Sequence, residues 1–117
     1  MLNEDTIEIL FHDDIQIKLE DMQKAYLEFD EFMAGRRLKR LIVPGRNMEM
    51  TKEARKYGEM ENEKRKANCV AEAMVVFTFV QKMCTNFYLK YVRDIYPAKS
   101  FTDIEEAREW LINYKEL

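Results

Sequence analysis

Apolar and polar positions along this chain change period several times, and each change predicts an element. From Ile7 to Phe11 the chain is apolar with one Glu inside, and after His12-Asp13-Asp14 the stretch Ile15-Gln16-Ile17-Lys18-Leu19 alternates. Period two predicts a strand in both places. Met22, Tyr26, Phe29 and Met33 then recur at helical spacing, with Ala25 and Phe32 beside them. They predict one face of a helix that opens with Glu20 and Asp21 and ends near Gly35. Leu38 to Val43 predicts a short strand, stopped by Pro44-Gly45, a pair that cannot continue a central ladder. Thr51 is the expected N-cap of a helix running to about Lys66, lying on an exposed flank with Ala54, Tyr57 and Met60 inward.

The run Val70 to Phe77 ends in five consecutive apolar residues, the pattern of a strand buried on both faces and paired in parallel. Thr78 is placed to cap the next helix, which extends to about Ile95 before Tyr96-Pro97. Its apolar positions, from Phe79 and Val80 through Met83, Phe87 and Tyr88 to Val92 and Tyr96, spread over more than half of the circumference. A single sheet cannot cover that arc, so another helix or a second chain is expected on it. Near the C-terminal end, Thr102-Asp103-Ile104-Glu105 reads as a capping box. It follows the short strand around Lys99-Ser100-Phe101 and precedes Ile104, Ala107, Trp110, Leu111 and Tyr114 at helical spacing. Alternating strands and helices, joined by right-handed crossovers, predict an α/β domain with a mostly parallel sheet.

Composition narrows the classes. At 117 residues the chain is read as a single domain over 1–117, large enough to bury roughly two-thirds of its unfolded surface without disulfides or a structural metal. Three Gly, two Pro and 12% aromatic residues oppose collagen-like, linker or disordered readings. The longest nearly apolar run, Ala73 to Val80, is far short of the ~20 residues of a membrane span. An acidic start, Met1-Leu2-Asn3-Glu4-Asp5, is unlike a secretory signal, so the expected location is the cytoplasm. Cys69 and Cys84 are expected to be reduced core residues, and a net charge of -3 gives no electrostatic reason to bind nucleic acid.

Most catalytic templates fail on inventory. His12 is the only histidine, and no zinc, EF-hand, dinucleotide or P-loop pattern is present. Neither a metal nor a cofactor is expected. His12 and Cys84 would make an acid–base and nucleophile pair only if the fold joined them. Carboxylate pairs such as Asp13-Asp14 and Glu105-Glu106 look like turn and first-turn residues. The basic cluster Arg36, Arg37, Lys39 and Arg40 reads as exposed cations favouring a helix C-terminus, and the eight Met residues read mainly as core. A receiver domain is opposed because Leu41-Ile42-Val43 runs into Pro44-Gly45 where a phosphoacceptor Asp would stand.

Three segments in order, Thr51-Lys52-Glu53-Ala54-Arg55-Lys56-Tyr57, Asn86-Phe87-Tyr88-Leu89-Lys90-Tyr91 and Phe101 through Leu111, resemble a family of small STAS-like (SpoIIAA-like) bacterial proteins. The resemblance spans about Ile7 to Leu111. It implies a βα superhelix around a four- or five-stranded, mostly parallel or mixed sheet with about four helices, and a regulatory or binding role without catalysis. In the family's anti-sigma-factor antagonists a phosphorylated serine stands at the start of the second helix. Here Lys52 falls at that place and Thr51 keeps a hydroxyl next door. Relatives carry an acidic residue and an Arg after the second strand, where this chain has Val43-Pro44-Gly45-Arg46, and an additional N-terminal strand is missing here.

Two functions are expected from these readings. One is a protein-interaction module, homodimeric or bound to a regulatory protein, with Arg46, Asn47, Thr51 and Lys52 as the partner loop and helix start and Tyr88, Val92 and Tyr96 as the dimer face. The alternative is a carrier of a small apolar molecule or lipid, as in STAS and SEC14-type proteins, which requires an enclosed pocket around Met74, Met83 and Phe87.

Overall fold

In chain order the elements are β1 (Thr6–Leu10), β2 (Gln16–Ile17), α1 (Leu19–Met33), β3 (Leu38–Val43), β4 (Glu49–Met50), α2 (Lys52–Lys64), β5 (Cys69–Val75), α3 (Phe79–Val92), β6 (Ala98–Phe101) and α4 (Ile104–Asn113). A single 3-10 turn, Lys66–Asn68, leads from α2 into β5. The computed structural model describes residues 5–92 and 95–115, the side chain of Tyr91 excepted. The sequence readings at residues 1–4 and at 93–94, the acidic start and the end of the third helix, fall outside them.

The main sheet has the order β1-β3-β5-β6, and all its pairs are parallel. The expected α/β architecture with a parallel main sheet is therefore present, with four strands in that sheet and four helices among the described residues. Central position explains the continuous apolar run in β5, where Ala71, Ala73 and Val75 face α4 and pack with Leu41, Ala107 and Leu111. Small alanines let that helix approach closely, and each fully buried Leu contributes about 1.5–3 kcal/mol. Lys39 closes this layer by donating its ammonium to the Leu111 carbonyl at the C-terminal end of α4, at 2.6 Å.

Several local expectations shift. The predicted strand Ile15–Leu19 shrinks to the two residues of β2, because the Asp21 carboxylate accepts the Lys18 N–H at 2.9 Å and starts the helix at Leu19. β2 pairs in parallel with β4, an element the sequence pattern did not predict. Asp103, and not Thr102, caps α4, its carboxylate accepting the Glu105 N–H at 2.7 Å. In α2 the inner face is Ala54, Gly58 and Glu61, while Met60 is exposed. A Cβ at Gly58 would stand 2.9 Å from Met22 Cε, the movable end of that side chain, so α1 and α2 approach closely at this point. Arg65 ties the same two helices, reaching Asp30 at 2.6 Å and Glu61 at 3.1 Å with its guanidinium over the Tyr26 ring.

The basic cluster divides. Arg36 does cap α1, donating to the carbonyls of Met33 and Phe32, but Lys39 and Arg40 belong to β3 and are buried. Strand alternation aims Arg40 at the sheet face opposite α4, where its register partner on β5 is Glu72. The two meet at 2.8 Å with Glu72 fully buried. Arg40 also donates to Asn62 of α2 at 3.2 Å and to the Tyr96 hydroxyl at 2.9 Å. The network continues through a 2.6 Å bond between Tyr88 and Tyr96, from Asn62 Nδ2 to Tyr88 at 3.3 Å, and from Tyr26 to Asn62 at 2.8 Å. One ion pair in the sheet thus anchors α1, α2, α3 and the loop after α3. Among the described residues Arg40 Nε and both Glu72 carboxylate oxygens nonetheless have no hydrogen-bond partner: the 2.8 Å contact is close but poorly directed.

Two predictions follow from this packing. Arg40→Met leaves the Glu72 charge buried and uncompensated and is expected to cost about 3–5 kcal/mol in urea denaturation, whereas Arg40→Met with Glu72→Leu recovers most of that loss. Equal destabilisation by the single and double variants would show that the pair is not the organising contact. At the end of α1, Ala34 has φ 48° in the left-handed region. Ala34→Gly is expected to raise stability by about 1 kcal/mol, read as a higher midpoint of thermal unfolding.

Candidate functional site

The carboxyl ends of parallel strands, with the loops that follow them, are where an open α/β sheet usually presents its binding groups. At this end the β1–β2 and β3–β4 loops are zipped together. Phe11 N–H donates to the Val43 carbonyl at 3.0 Å and Asp14 N–H to that of Arg46 at 2.7 Å. The Asp13 carboxylate accepts the Arg46 N–H at 2.6 Å, and Asp14 accepts from the Asn47 side chain at 3.1 Å. Gly45 is required at the crossing, since a Cβ there would stand 1.9 Å from the His12 carbonyl oxygen.

Arg46 and Asn47 are therefore exposed but held in a rigid double loop, and Asn47 takes a positive φ of 55°. Thr51 has a structural duty: its hydroxyl accepts the Ala54 N–H at 3.1 Å as the N-cap of α2. Lys52 follows it, exposed.

The expected dimer face is not a face at all. Val92 and Tyr96 are buried inside the chain, at 1% and 4% exposure, and Tyr88 is half-buried in the Arg40 network. The reason is the ion pair: the two phenols turn inward to reach it, and Leu89 and Val92 follow them onto Cys69. Burial, reinforced by the Glu72 charge, holds both phenols far above their usual pKa. Burial likewise pushes Tyr26 up to about 12 and the Cys69 thiol up to about 11. Burial opposes the charge of Arg40, but Glu72, together with smaller contributions from Cys69, Tyr96 and Tyr88, outweighs it and keeps the guanidinium protonated. The network holds neutral phenols and a neutral thiol around one cation and one carboxylate.

With its C-terminal half pinned, α3 turns its other side outward. Phe79, Val80, Met83 and Phe87 are 75%, 69%, 47% and 72% exposed, and Phe77 just before the helix is 57% exposed. Cys84, expected in the core, lies among the exposed residues of the same helix. The helix start is braced by Thr78, whose hydroxyl accepts the Gln81 N–H at 3.1 Å, and by Gln81, whose amide oxygen accepts the Phe77 N–H at 2.8 Å. The Gln81 amide also donates to the Gly45 carbonyl at 3.2 Å. One side chain thus joins the expected partner loop to the exposed end of α3.

Other candidates are not assembled. Among the described residues no hydrogen bond links His12 to Cys84, and no three His, Cys, Asp or Glu side chains group as a metal site. Met83 and Phe87 line an open depression with Asn86 and Lys90, not the enclosed pocket a carrier requires. The interior space bordered by Phe29, Met33, Arg40 and Cys69 is too tight for a water molecule. The residues that the sequence reading missed are Arg40, Glu72 and Asn62. The one available signal was the Glu72 charge inside a strand predicted to be buried on both faces, where an unpaired charge is costly and calls for a cation on a neighbouring strand.

The fold has a solved counterpart. An uncharacterised protein of the DUF3478 family with a SpoIIAA-like fold, from Shewanella loihica PV-4, superposes with a TM-score of 0.69 over 91% of this chain and 81% of its own, at 16% identity. No curated protein matches the chain. The model of the Domain of unknown function (DUF7793) matches residues 1–115. With that match covering nearly its whole length and the SpoIIAA-like sheet and helices in place, the chain belongs to the DUF7793 family.

Proposed function

We propose that this protein is a non-catalytic regulatory module that acts by association, pairing with a second copy of itself through the outer face of α3. The observation that carries this reading is the contiguous set Phe77, Phe79, Val80, Met83 and Phe87, left in water by a helix whose opposite side is fully engaged. Exposed apolar clusters of this kind mark interaction surfaces. Phe, Met and Tyr are the residue types enriched in the centres of such surfaces.

A role without turnover is supported by the chemistry available. The nucleophile and phenols of the buried network are held neutral and out of solvent, and His12 and Cys84 stand on separate elements. Arg46 and Asn47, braced beside the helix start through Gly45 and Gln81, form a rigid polar rim to the apolar face. The carrier reading gains no support, since no enclosed apolar cavity surrounds Met83 or Phe87.

Sedimentation velocity across roughly 1–100 μM tests the reading, a range in which a pair held by -6 to -8 kcal/mol is seen to associate. The wild-type chain is expected to shift from monomer to dimer, and Phe79→Asp or Phe87→Asp to remain monomeric with unchanged circular dichroism, since both positions are exposed. A wild-type chain that stays monomeric throughout contradicts the proposal.

A further inference from the structure

We infer that the pair is isologous, with two α3 helices packed antiparallel around a twofold axis that passes beside Met83. This rests on the reading of the outer face of α3 as the contact surface and adds its partner segment, direction and register.

The outer stripe is symmetric about its centre. Phe79 and Phe87 each lie four residues from Met83, so at 3.6 residues per turn the three side chains drift by only about 80° and share one face. A twofold axis at Met83 sets each Phe79 against Phe87 of the other copy and Met83 against Met83. Identical patches meeting in this way are what a closed dimer requires.

Charge selects the direction. The β3–β4 loop that Gln81 joins to the start of α3 at Gly45 carries Arg46, and the β1–β2 loop zipped to it carries Asp13 and Asp14, so two exposed acids stand beside one exposed cation there. At the far end of the same outer face is Lys90, whose ammonium lies 5.9 Å from the Phe87 ring centre. No acidic residue occurs between Phe79 and Val92. Antiparallel packing carries Lys90 of each copy toward the end of the other that bears Asp13 and Asp14, whereas parallel packing sets Lys90 against Lys90.

The area is sufficient for a specific, modest contact. Three phenylalanines at 57–75% exposure, with Val80 and Met83, present on the order of 500 Å² of apolar surface per copy when an aromatic side chain contributes about 150–250 Å². With the polar rim from Arg46, Asn47 and Lys90, two copies reach the neighbourhood of the ~1,200 Å² at which stable pairs begin.

Cross-linking reads the axis directly. In a Cys84→Ser background, with Cys69 buried, Met83→Cys is expected to form a disulfide-linked dimer on mild oxidation, because the two positions face one another. A second test uses charge. Phe79→Lys and Phe87→Glu are each expected to weaken association on the order of 100-fold, and their combination in one chain to restore it, since each introduced cation then faces an introduced carboxylate of the other copy.

Disulfide formation together with charge rescue supports the antiparallel register. A wild-type dimer whose Met83→Cys variant stays reduced, with no rescue in the double variant, overturns the register while leaving association through α3 intact. A wild-type monomer overturns both. Monomers that bind vesicles of anionic lipid through Phe79 and Phe87 would assign the face to a membrane surface and likewise overturn the pairing.

Discussion

The structure depends on one buried ion pair. Arg40 and Glu72 stand side by side on adjacent parallel strands in the middle of the sheet, where neither charge can reach water. Desolvated ions of this kind are tolerated when their mutual attraction is joined by further partners, and here Arg40 finds those on the elements that cover that side of the sheet. Asn62 brings α2, Tyr96 the loop after α3, Tyr88 the helix α3 itself, and Tyr26 connects α1 through Asn62. The pair therefore fixes where three helices sit.

The exposed face follows from that placement. Tyr96 turns inward to meet Arg40 and Tyr88 to meet Tyr96 and Asn62, which commits Leu89 and Val92 to the core. Helical geometry then sends Phe79, Met83 and Phe87 the opposite way. The same ion pair that organises the core leaves an apolar stripe in solvent, and Thr78 and Gln81 hold the start of that helix firmly against the Gly45 turn. A surface of this type is costly for an isolated protein and useful for one that associates.

Much of the fold was legible in the sequence because it is written in periodicity. The central parallel strand, the N-cap Thr51, the cap Thr78 and the helix ending at Ala34-Gly35 all follow from local pattern. What escaped were features decided by distant partners. β2 and β4 pair two residues at a time across more than thirty positions, too short for any period to show. The arc of α3 correctly signalled more apolar surface than one sheet covers, but which residues form the outer half depended on Arg40, fifty-six residues before Tyr96 and on the strand β3. Hence Tyr88, Val92 and Tyr96 were placed outside and Cys84 inside, the reverse of what the ion pair imposes for Val92, Tyr96 and Cys84.

Fluorine NMR of the chain carrying fluorinated phenylalanine, followed through a dilution series, addresses the central claim most directly. Seven phenylalanines report at once. The account predicts that the resonances of Phe77, Phe79 and Phe87 move with concentration while those of Phe29 and Phe101, packed within the chain, stay fixed. Seven concentration-independent resonances, or movement at Phe29 and Phe101 in place of the α3 set, would contradict it.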